Sequence, residues 1–435
     1  MKVLQITTSG MKNISKDIVV TFANSTIEKG VKKINNVKGI FGFNGAGKTA
    51  FITSVDLYRN VILNPTYLLQ NDTTKKLDKL LNYSLKSFSF SIIFEFKDNI
   101  VLKHSIKIEK NFVNNSYYIS HEDISLSSGR TLDDKYKFLV NKNKNELSFI
   151  SDNRIFEGSV DYLKDAELNY SSIVFKVISK IAEHADLSKY NYSVGEKIIS
   201  MLYADVRNID VYLSNDDSHN NFVLDKDVLD EIISNAETLK QKRETWIDLY
   251  ADDIVVPKKL IHLFEEDNKR LEKFIKVFKP EVKEIALDKS EDGDVYHIRK
   301  IFKYSNYNVE FEFESSGIKQ LVKLFTYLFK CSKGAIVFVD EIDANINTVY
   351  FSKLVSFFKN YGEGQLIFTT HNVEAMNALK GQSRSILALG ENNNIDVWVG
   401  KGNKSPIRDY MDGFFPNSPM NVEDFDFVNI FFGED

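Results

Sequence analysis

Val37 to Phe41 is a short apolar run that leads straight into Gly42-Phe43-Asn44-Gly45-Ala46-Gly47-Lys48-Thr49. From Thr49 onward Phe51, Val55, Tyr58 and Ile62 recur at helical spacing. The local order is strand, glycine loop, helix, and the loop fits the pattern GxxxxGK[ST] in the context that pattern requires. Glycines let successive backbone N–H groups turn inward around phosphate oxygens, and the helix that follows adds the positive end of its dipole. Lys48 is expected to reach the β and γ phosphates, and Thr49 to offer a hydroxyl to Mg2+. Gly42, Asn44, Gly45, Ala46, Gly47, Lys48 and Thr49 are therefore the expected nucleotide-binding residues.

A second apolar run, Ala335 to Val339, ends in Asp340-Glu341. Adjacent carboxylates at a strand tip are costly unless a cation sits beside them. Asp340 is expected to hold Mg2+, directly or through water, and Glu341 to orient and deprotonate an attacking water. Thr49 and Asp340 lie 291 positions apart, far more than in small GTPases and simple kinases, and no NKxD guanine-recognition motif is present. A third run, Gln365 to Thr369, ends in Thr370-His371, which places His371 to bond a γ-phosphate or the lytic water. Glu314-Ser315-Ser316-Gly317 opens a helix from about Ile318, so Ser315, Ser316 and Gly317 are either an N-cap or a second grip on phosphate.

The 435 residues carry 56 Lys plus Arg against 61 Asp plus Glu, a net charge of −5 that gives no support for a dedicated nucleic-acid binder. The single cysteine, Cys331, excludes an internal disulfide framework and reads as a buried small hydrophobe. The longest apolar runs, about five residues, fall far short of the roughly twenty a membrane span needs, and the N-terminus has no signal-peptide core. A cytoplasmic location with no membrane partner is expected. Ser87 to Phe96 alternates strictly and returns through Ile100 to Ile108 after an Asp98-Asn99 turn, an antiparallel hairpin. From about Tyr162 to Phe278 three helical patterns follow, at 171–187, 226–250 and 258–278, too short and too irregular in heptad register for a coiled-coil arm. Strand-like segments resume at Val282 to Leu287, His297 to Tyr304 and Asn308 to Phe313.

Taken together these motifs resemble the ABC-type ATPase heads of the SMC, OLD and bacterial AAA-like group. The resemblance covers residues 1 to about 135 and 286 to 435. GFNGAGKT is similar to the Walker A motif, ESSGIKQL to the signature, IVFVDE to Walker B, Ile342-Asp343-Ala344-Asn345 to the D-loop and TTHN to the switch-histidine region. The signature departs from LSGGQ, and Asn347 stands where relatives often carry His. Gln70 is the candidate Q-loop glutamine, with a plain surface glutamine as the alternative. The fold implied is α/β: a P-loop NTPase of ABC-ATPase-head type, a mixed sheet with flanking helices and an antiparallel β-subdomain. The expected division is residues 1–135 as the first half of the head, 136–285 as a mainly helical insertion and 286–435 as the second half. The resemblance further implies ATP and Mg2+ as cofactors. It also implies a homo-oligomer, a dimer or larger, in which Ser315, Ser316 and Gly317 act in trans on ATP held by the partner's Walker A.

Only 64 residues follow His371, and they hold no Glu plus Asp-x-Asp arrangement for a built-in nuclease. From Asp409 to Asp435 the chain has seven acidic residues, no Lys or Arg, and six phenylalanines. This tail is similar to the closing segment of ATPases from bacterial abortive-infection and anti-phage systems, and either docks on a basic partner or packs on the ATPase core. The function implied is an oligomeric sensor or scaffold in anti-phage defence controlling a separate effector protein, a nuclease by the same resemblance. The alternative is an SMC-like repair or recombination ATPase that clamps DNA. A transporter ATPase subunit is disfavoured by the insertion, by the signature and by the missing Pro after Glu341. Lys48→Ala is expected to abolish ATP binding in a fluorescent-nucleotide titration, and unchanged affinity would remove the central assignment.

Overall fold

The computed structural model describes residues 2–23, 34–95, 100–127, 135–150, 153–156, 159–184, 190–213, 254–382, 384–400 and 404–414. Its centre is a six-stranded sheet in which β3 (Val37–Gly42), β9 (Ile209–Tyr212), β14 (Ile336–Val339), β15 (Gln365–Thr369), β16 (Ile386–Leu389) and β17 (Ile395–Val397) lie in the order β17-β16-β3-β15-β14-β9. All neighbours are parallel except β16 and β17. The apolar runs found in the sequence are these strands: every residue of β3, β14, β15 and β16 is buried, as strands covered on both faces must be. Because β15 lies between β3 and β14, the glycine loop, Asp340 and Thr370-His371 leave the same edge of the sheet side by side.

A second sheet is antiparallel and has seven strands, β1 (Val3–Ser9), β2 (Ile18–Thr21), β4 (Ser87–Glu95), β5 (Val101–Asn111), β6 (Ser116–Ser127), β7 (Lys137–Asn143) and β8 (Glu146–Phe149), in the order β2-β1-β4-β5-β6-β7-β8. The expected hairpin is β4 with β5, paired from Ser87 and Glu109 to Glu95 and Val101, while its Asp98-Asn99 turn lies outside the described residues. A third, smaller sheet joins β10 (Ile254–Pro257), β11 (Glu284–Asp292), β12 (Val295–Lys303) and β13 (Asn308–Glu310).

The first helix, α1 (Lys48–Leu63), runs between the central and antiparallel sheets. The heptad-like spacing of Phe51, Val55, Tyr58 and Ile62 predicts one buried face, yet 14 of its 16 residues are buried. After α2 (Asn71–Leu80) and α3 (Val160–Asp165), the helices α4 (Ile173–Ala182) and α5 (Val194–Arg207) cover α1's remaining side. Three polar groups inside this core satisfy one another. Tyr58 Oη lies 2.7 Å from His104 Nδ1, His104 Nε2 lies 3.1 Å from Glu122 Oε1, and the other carboxylate oxygen accepts from the Ile173 amide at the start of α4. Arg59 Nε donates to the Ile209 carbonyl, which fixes α1 to β9.

These contacts correct the expectation of a mainly helical insertion over 136–285. Within that span β7 and β8 extend the antiparallel sheet, β9 is an edge strand of the central sheet, and α4 and α5 belong to the core around α1. The expected helix at 226–250 lies outside the described residues. The expected helix at 258–278 is α6 (Ile261–Phe278), followed by α7 (Ser316–Ser332), α8 (Thr348–Tyr361), α9 (Ala375–Leu379) and α10 (Pro406–Met411). Cys331 is buried on α7, and burial pushes its thiol far up. No described helix is long and apolar enough to cross a membrane.

Two buried side chains hold the sheets in register. Gln365 of β15 accepts from the Val3 amide at 2.7 Å and donates to the Val3 carbonyl at 2.9 Å, as a neighbouring strand would. Lys38 of β3 donates to the carbonyls of Thr21 and, at 2.7 Å, Arg384. Burial, with a smaller push from Arg384, lowers the Lys38 ammonium to about 7 from an unfolded value near 10.5. Between those two values the unfolded chain binds a proton that the native one does not, so this group makes stability rise with pH. The stability of the wild type relative to Lys38→Met is expected to increase from pH 7 to 9.5, on the order of 1 kcal/mol per unit. Denaturant melts across that range check it, and a constant difference would contradict it.

Candidate nucleotide-binding and hydrolysis site

The loop leaving β3 is shaped by backbone that only glycine adopts easily. Gly42 has φ 134°, and a Cβ there would lie 2.0 Å from the Leu389 carbonyl oxygen of β16. Gly47, at φ 108°, is the left-handed residue from which α1 starts. The N-terminus of α1 has neither a side-chain cap nor an acidic residue in its first turn. By contrast, Ser172, Ser193, Ser315 and Asn347 cap α4, α5, α7 and α8. Four orphan N–H groups at a positive helix end, with Asn44 and Gly45 exposed and Ala46 and Gly47 buried beneath them, fit the phosphates of a nucleotide.

Lys48 Nζ donates to the carbonyls of Gly42 at 2.9 Å and Phe43 at 2.8 Å. Burial lowers its ammonium to about 8, against the opposing pull of Asp340 and Glu341. Two residues outside the motif support the loop. Asn13 Nδ2 donates to the Gly45 carbonyl at 2.6 Å, and Tyr410 of α10 takes the Gly42 N–H on its hydroxyl while its ring meets Phe41 edge-on at 6.5 Å. Neither is visible in the motif, because they arrive from 29 positions upstream of Gly42 and from the far end of the chain.

Across the sheet edge, Thr49 Oγ1 lies 3.2 Å from Asp340 Oδ1. Asp340 is buried at the tip of β14 and its Oδ1 also accepts from Thr369 Oγ1 at 2.6 Å. A hydroxyl and a carboxylate converging are hard oxygen donors suited to Mg2+, which completes its octahedron with water and phosphate oxygens. The described residues hold no group of three or more His, Cys, Asp and Glu able to cage a metal alone. Thr49 and Asp340 are thus the residues that would hold the ion.

Glu341 is exposed, and its backbone sits at φ 50°, which is uncommon for a residue with a side chain. Its N–H donates to Thr369 Oγ1 at 2.8 Å. His371 is also exposed and next to the same charges. Burial of part of the ring and then Lys48 lower its imidazole, against Asp343, Glu341 and Asp340, so it is neutral at pH 7. Thr370 Oγ1 donates to Asp343 Oδ1 at 2.6 Å and accepts the Asn372 N–H at 2.9 Å, which ties the segment after Glu341 to the His371 turn. Lys48, Thr49, Asp340, Glu341 and His371 are therefore one cluster.

Ser315, Ser316 and Gly317 stand apart from it. Ser315 Oγ accepts from the Ile318 amide at 3.3 Å and caps α7, as the bland expectation has it, and none of the three bonds to residues 42–49. Ser315 and Ser316 are exposed, and Gly317 faces the side chain of Asn345, which donates to Gln320 on the next turn of α7. Signature-like and D-loop-like residues thus share one surface of the subunit. Gln70 is not brought to the site: it is exposed at the start of α2, and its Oε1 accepts from Thr73 Oγ1 at 3.4 Å. That local contact agrees with the plain surface reading of Gln70. Asn347 accepts from the Val349 amide and caps α8.

A protein-family model described as "AAA domain, putative AbiEii toxin, Type IV TA system" matches residues 39–377. No curated protein matches the chain. Among solved structures it is similar to an SMC head bound to the C-winged helix domain of ScpA, at 13% identity and a TM-score of 0.43, over 92% of this chain and 98% of that one. It is also similar to the recombination mediator protein RecF-ATP of the RecFOR pathway, at 11% identity and a TM-score of 0.38, again over 92% and 98%. Asn13→Ala removes one hydrogen bond to the loop and is expected to weaken nucleotide binding about threefold with little change in melting temperature. Titration with a fluorescent ATP analogue measures it, and unaltered affinity would release Asn13 from that role.

Proposed function

We propose that this chain, which belongs to the family of AAA domains matched over residues 39–377 and is an ATPase of the ABC/AAA type, hydrolyses ATP in a shared interface to control a separate effector. The observation that carries the catalytic part is the convergence of Lys48, Thr49, Asp340, Glu341 and His371 at the ends of β3, β14 and β15. The loop amides and the α1 terminus bind the β and γ phosphates, and Lys48 exchanges its two carbonyl partners for phosphate oxygens. Thr49 and Asp340 would hold Mg2+, which would supply charge neutralisation for those phosphates. Glu341 takes the proton of a water whose oxygen forms the new bond to the γ-phosphorus, and the bond to the ADP oxygen breaks, releasing ADP and phosphate. Neutral His371 donates a hydrogen bond to the γ-phosphate or to that water.

Ser315, Ser316 and Gly317 complete the site in trans. What supports this is their exposed position beside Asn345 and their lack of any bond to the subunit's own loop. The family's description, "putative AbiEii toxin, Type IV TA system", supports a role in a toxin–antitoxin system, and control of a separate effector in anti-phage defence is the form of that role we propose. Of the acidic, aromatic tail from Asp409 to Asp435, expected either to dock on a basic partner or to pack on the ATPase core, residues 415–435 lie outside the described residues.

DNA clamping is the second reading, and a small surface of mixed aromatic and basic character favours it: Lys86 and Lys110 lie over the exposed ring of Phe112 in the turns beside the ends of β4 and β5, with Lys110 also paired to Asp78 at 2.7 Å. Glu341→Gln is expected to bind ATP without turnover and, in light scattering, to double or further multiply its mass on Mg-ATP addition. A nucleotide-bound monomer would overturn the shared interface, and hydrolysis stimulated by DNA in a salt-dependent way would favour the second reading.

A further inference from the structure

Thr369 closes the buried run Leu366-Ile367-Phe368, where a valine would fill the same volume. Its hydroxyl nonetheless has two partners in the site. The single proton goes to Asp340 Oδ1, the oxygen that Thr49 Oγ1 also approaches, and a lone pair takes the Glu341 N–H. Strand alternation sends the next hydroxyl, Thr370, to the other side, where it serves Asp343 and Asn372. Successive hydroxyls at the end of β15 therefore hold two different carboxylates.

Glu341 is the residue with most to lose. A left-handed backbone at a residue bearing a side chain is strained, and it persists only where surrounding contacts fix it. Here two bonds do so: Glu341 N–H to Thr369, and the Glu341 carbonyl accepting from the Ala344 amide at 3.0 Å. The direction in which the Glu341 carboxylate leaves the chain follows from that backbone. Removing the hydroxyl frees the Glu341 amide and takes a donor from Asp340 in one step.

We propose that Thr369 is a positioning residue for hydrolysis, which sets the aim of Glu341 and orients Asp340 toward the metal position. The proposal rests on the ATPase reading above. Its test uses the full chain with Thr369→Val, which keeps the shape, and Thr369→Ser, which keeps the hydroxyl. Three quantities are followed: hydrolysis rate against Mg2+ concentration, affinity for a fluorescent ATP analogue with and without Mg2+, and the thermal midpoint. Thr369→Val is expected to lower kcat about 10- to 100-fold and to diminish the gain in nucleotide affinity that Mg2+ brings. Its metal-free affinity and melting should stay near wild type, and Thr369→Ser should restore kcat to within about threefold. Turnover by Thr369→Val within about twofold of wild type overturns the proposal while leaving the ATPase intact. So does a parallel fall in affinity, melting and rate that serine does not rescue, since that is the signature of packing. Absence of Mg2+-dependent hydrolysis in the wild type overturns the ATPase reading itself, and the role of Thr369 with it.

Discussion

A helix buried on all sides whose first turn must stay open is the constraint around which this chain is built. Most of α1 is enclosed by the central sheet, the antiparallel sheet and the α4–α5 pair, so the helix cannot shift to suit a ligand. Its first turn carries no side-chain cap, and the unpaired N–H groups face outward at the sheet edge. Ser172, Ser193, Ser315 and Asn347 cap α4, α5, α7 and α8, whereas α2 and α6 share with α1 a start without a side-chain cap. The loop of glycines is the only way to join a fully buried strand to such a helix while leaving room for phosphate.

That arrangement explains why so much was legible in sequence. Ala335 to Val339 and Gln365 to Thr369 are largely apolar runs, as is Val37 to Phe41 apart from Lys38, a pattern that strands covered on both faces require. The glycine loop, Asp340-Glu341 and Thr370-His371 follow them directly, so the edge that carries the candidate site was legible at their ends. β9 escaped because Ile209-Asp210-Val211-Tyr212 is four residues long, includes a carboxylate and follows a helix without a turn signal. Once β9 was missed, the surrounding segment read as an insertion rather than as part of the core. Lys38 escaped attention for the opposite reason: a lysine within an apolar strand looks like an exposed edge, whereas it is buried against two carbonyls.

Within the site, residues that belong to a motif were legible and those that support it were not. Lys48, Thr49, Asp340, Glu341 and His371 come together as their spacing implied. Asn13, Thr369 and Tyr410 act through one hydrogen bond each or two, and nothing in their neighbours distinguishes them from ordinary polar residues. Gln70, for which the sequence left a Q-loop and a plain surface role open, bonds Thr73 beside it. The Tyr58–His104–Glu122 set has the side-chain chemistry of a catalytic relay but is fully buried and closed by the start of α4, so it ties α1 to the antiparallel sheet instead.

The contact between Tyr410 and the Gly42 amide has a mechanical consequence. The peptide that opens the nucleotide loop hangs on a hydroxyl from α10, and Trp398 fastens α10 from behind through its indole N–H to Asp409 at 3.2 Å. Any displacement of this six-residue helix therefore moves a support of the peptide that opens the nucleotide loop.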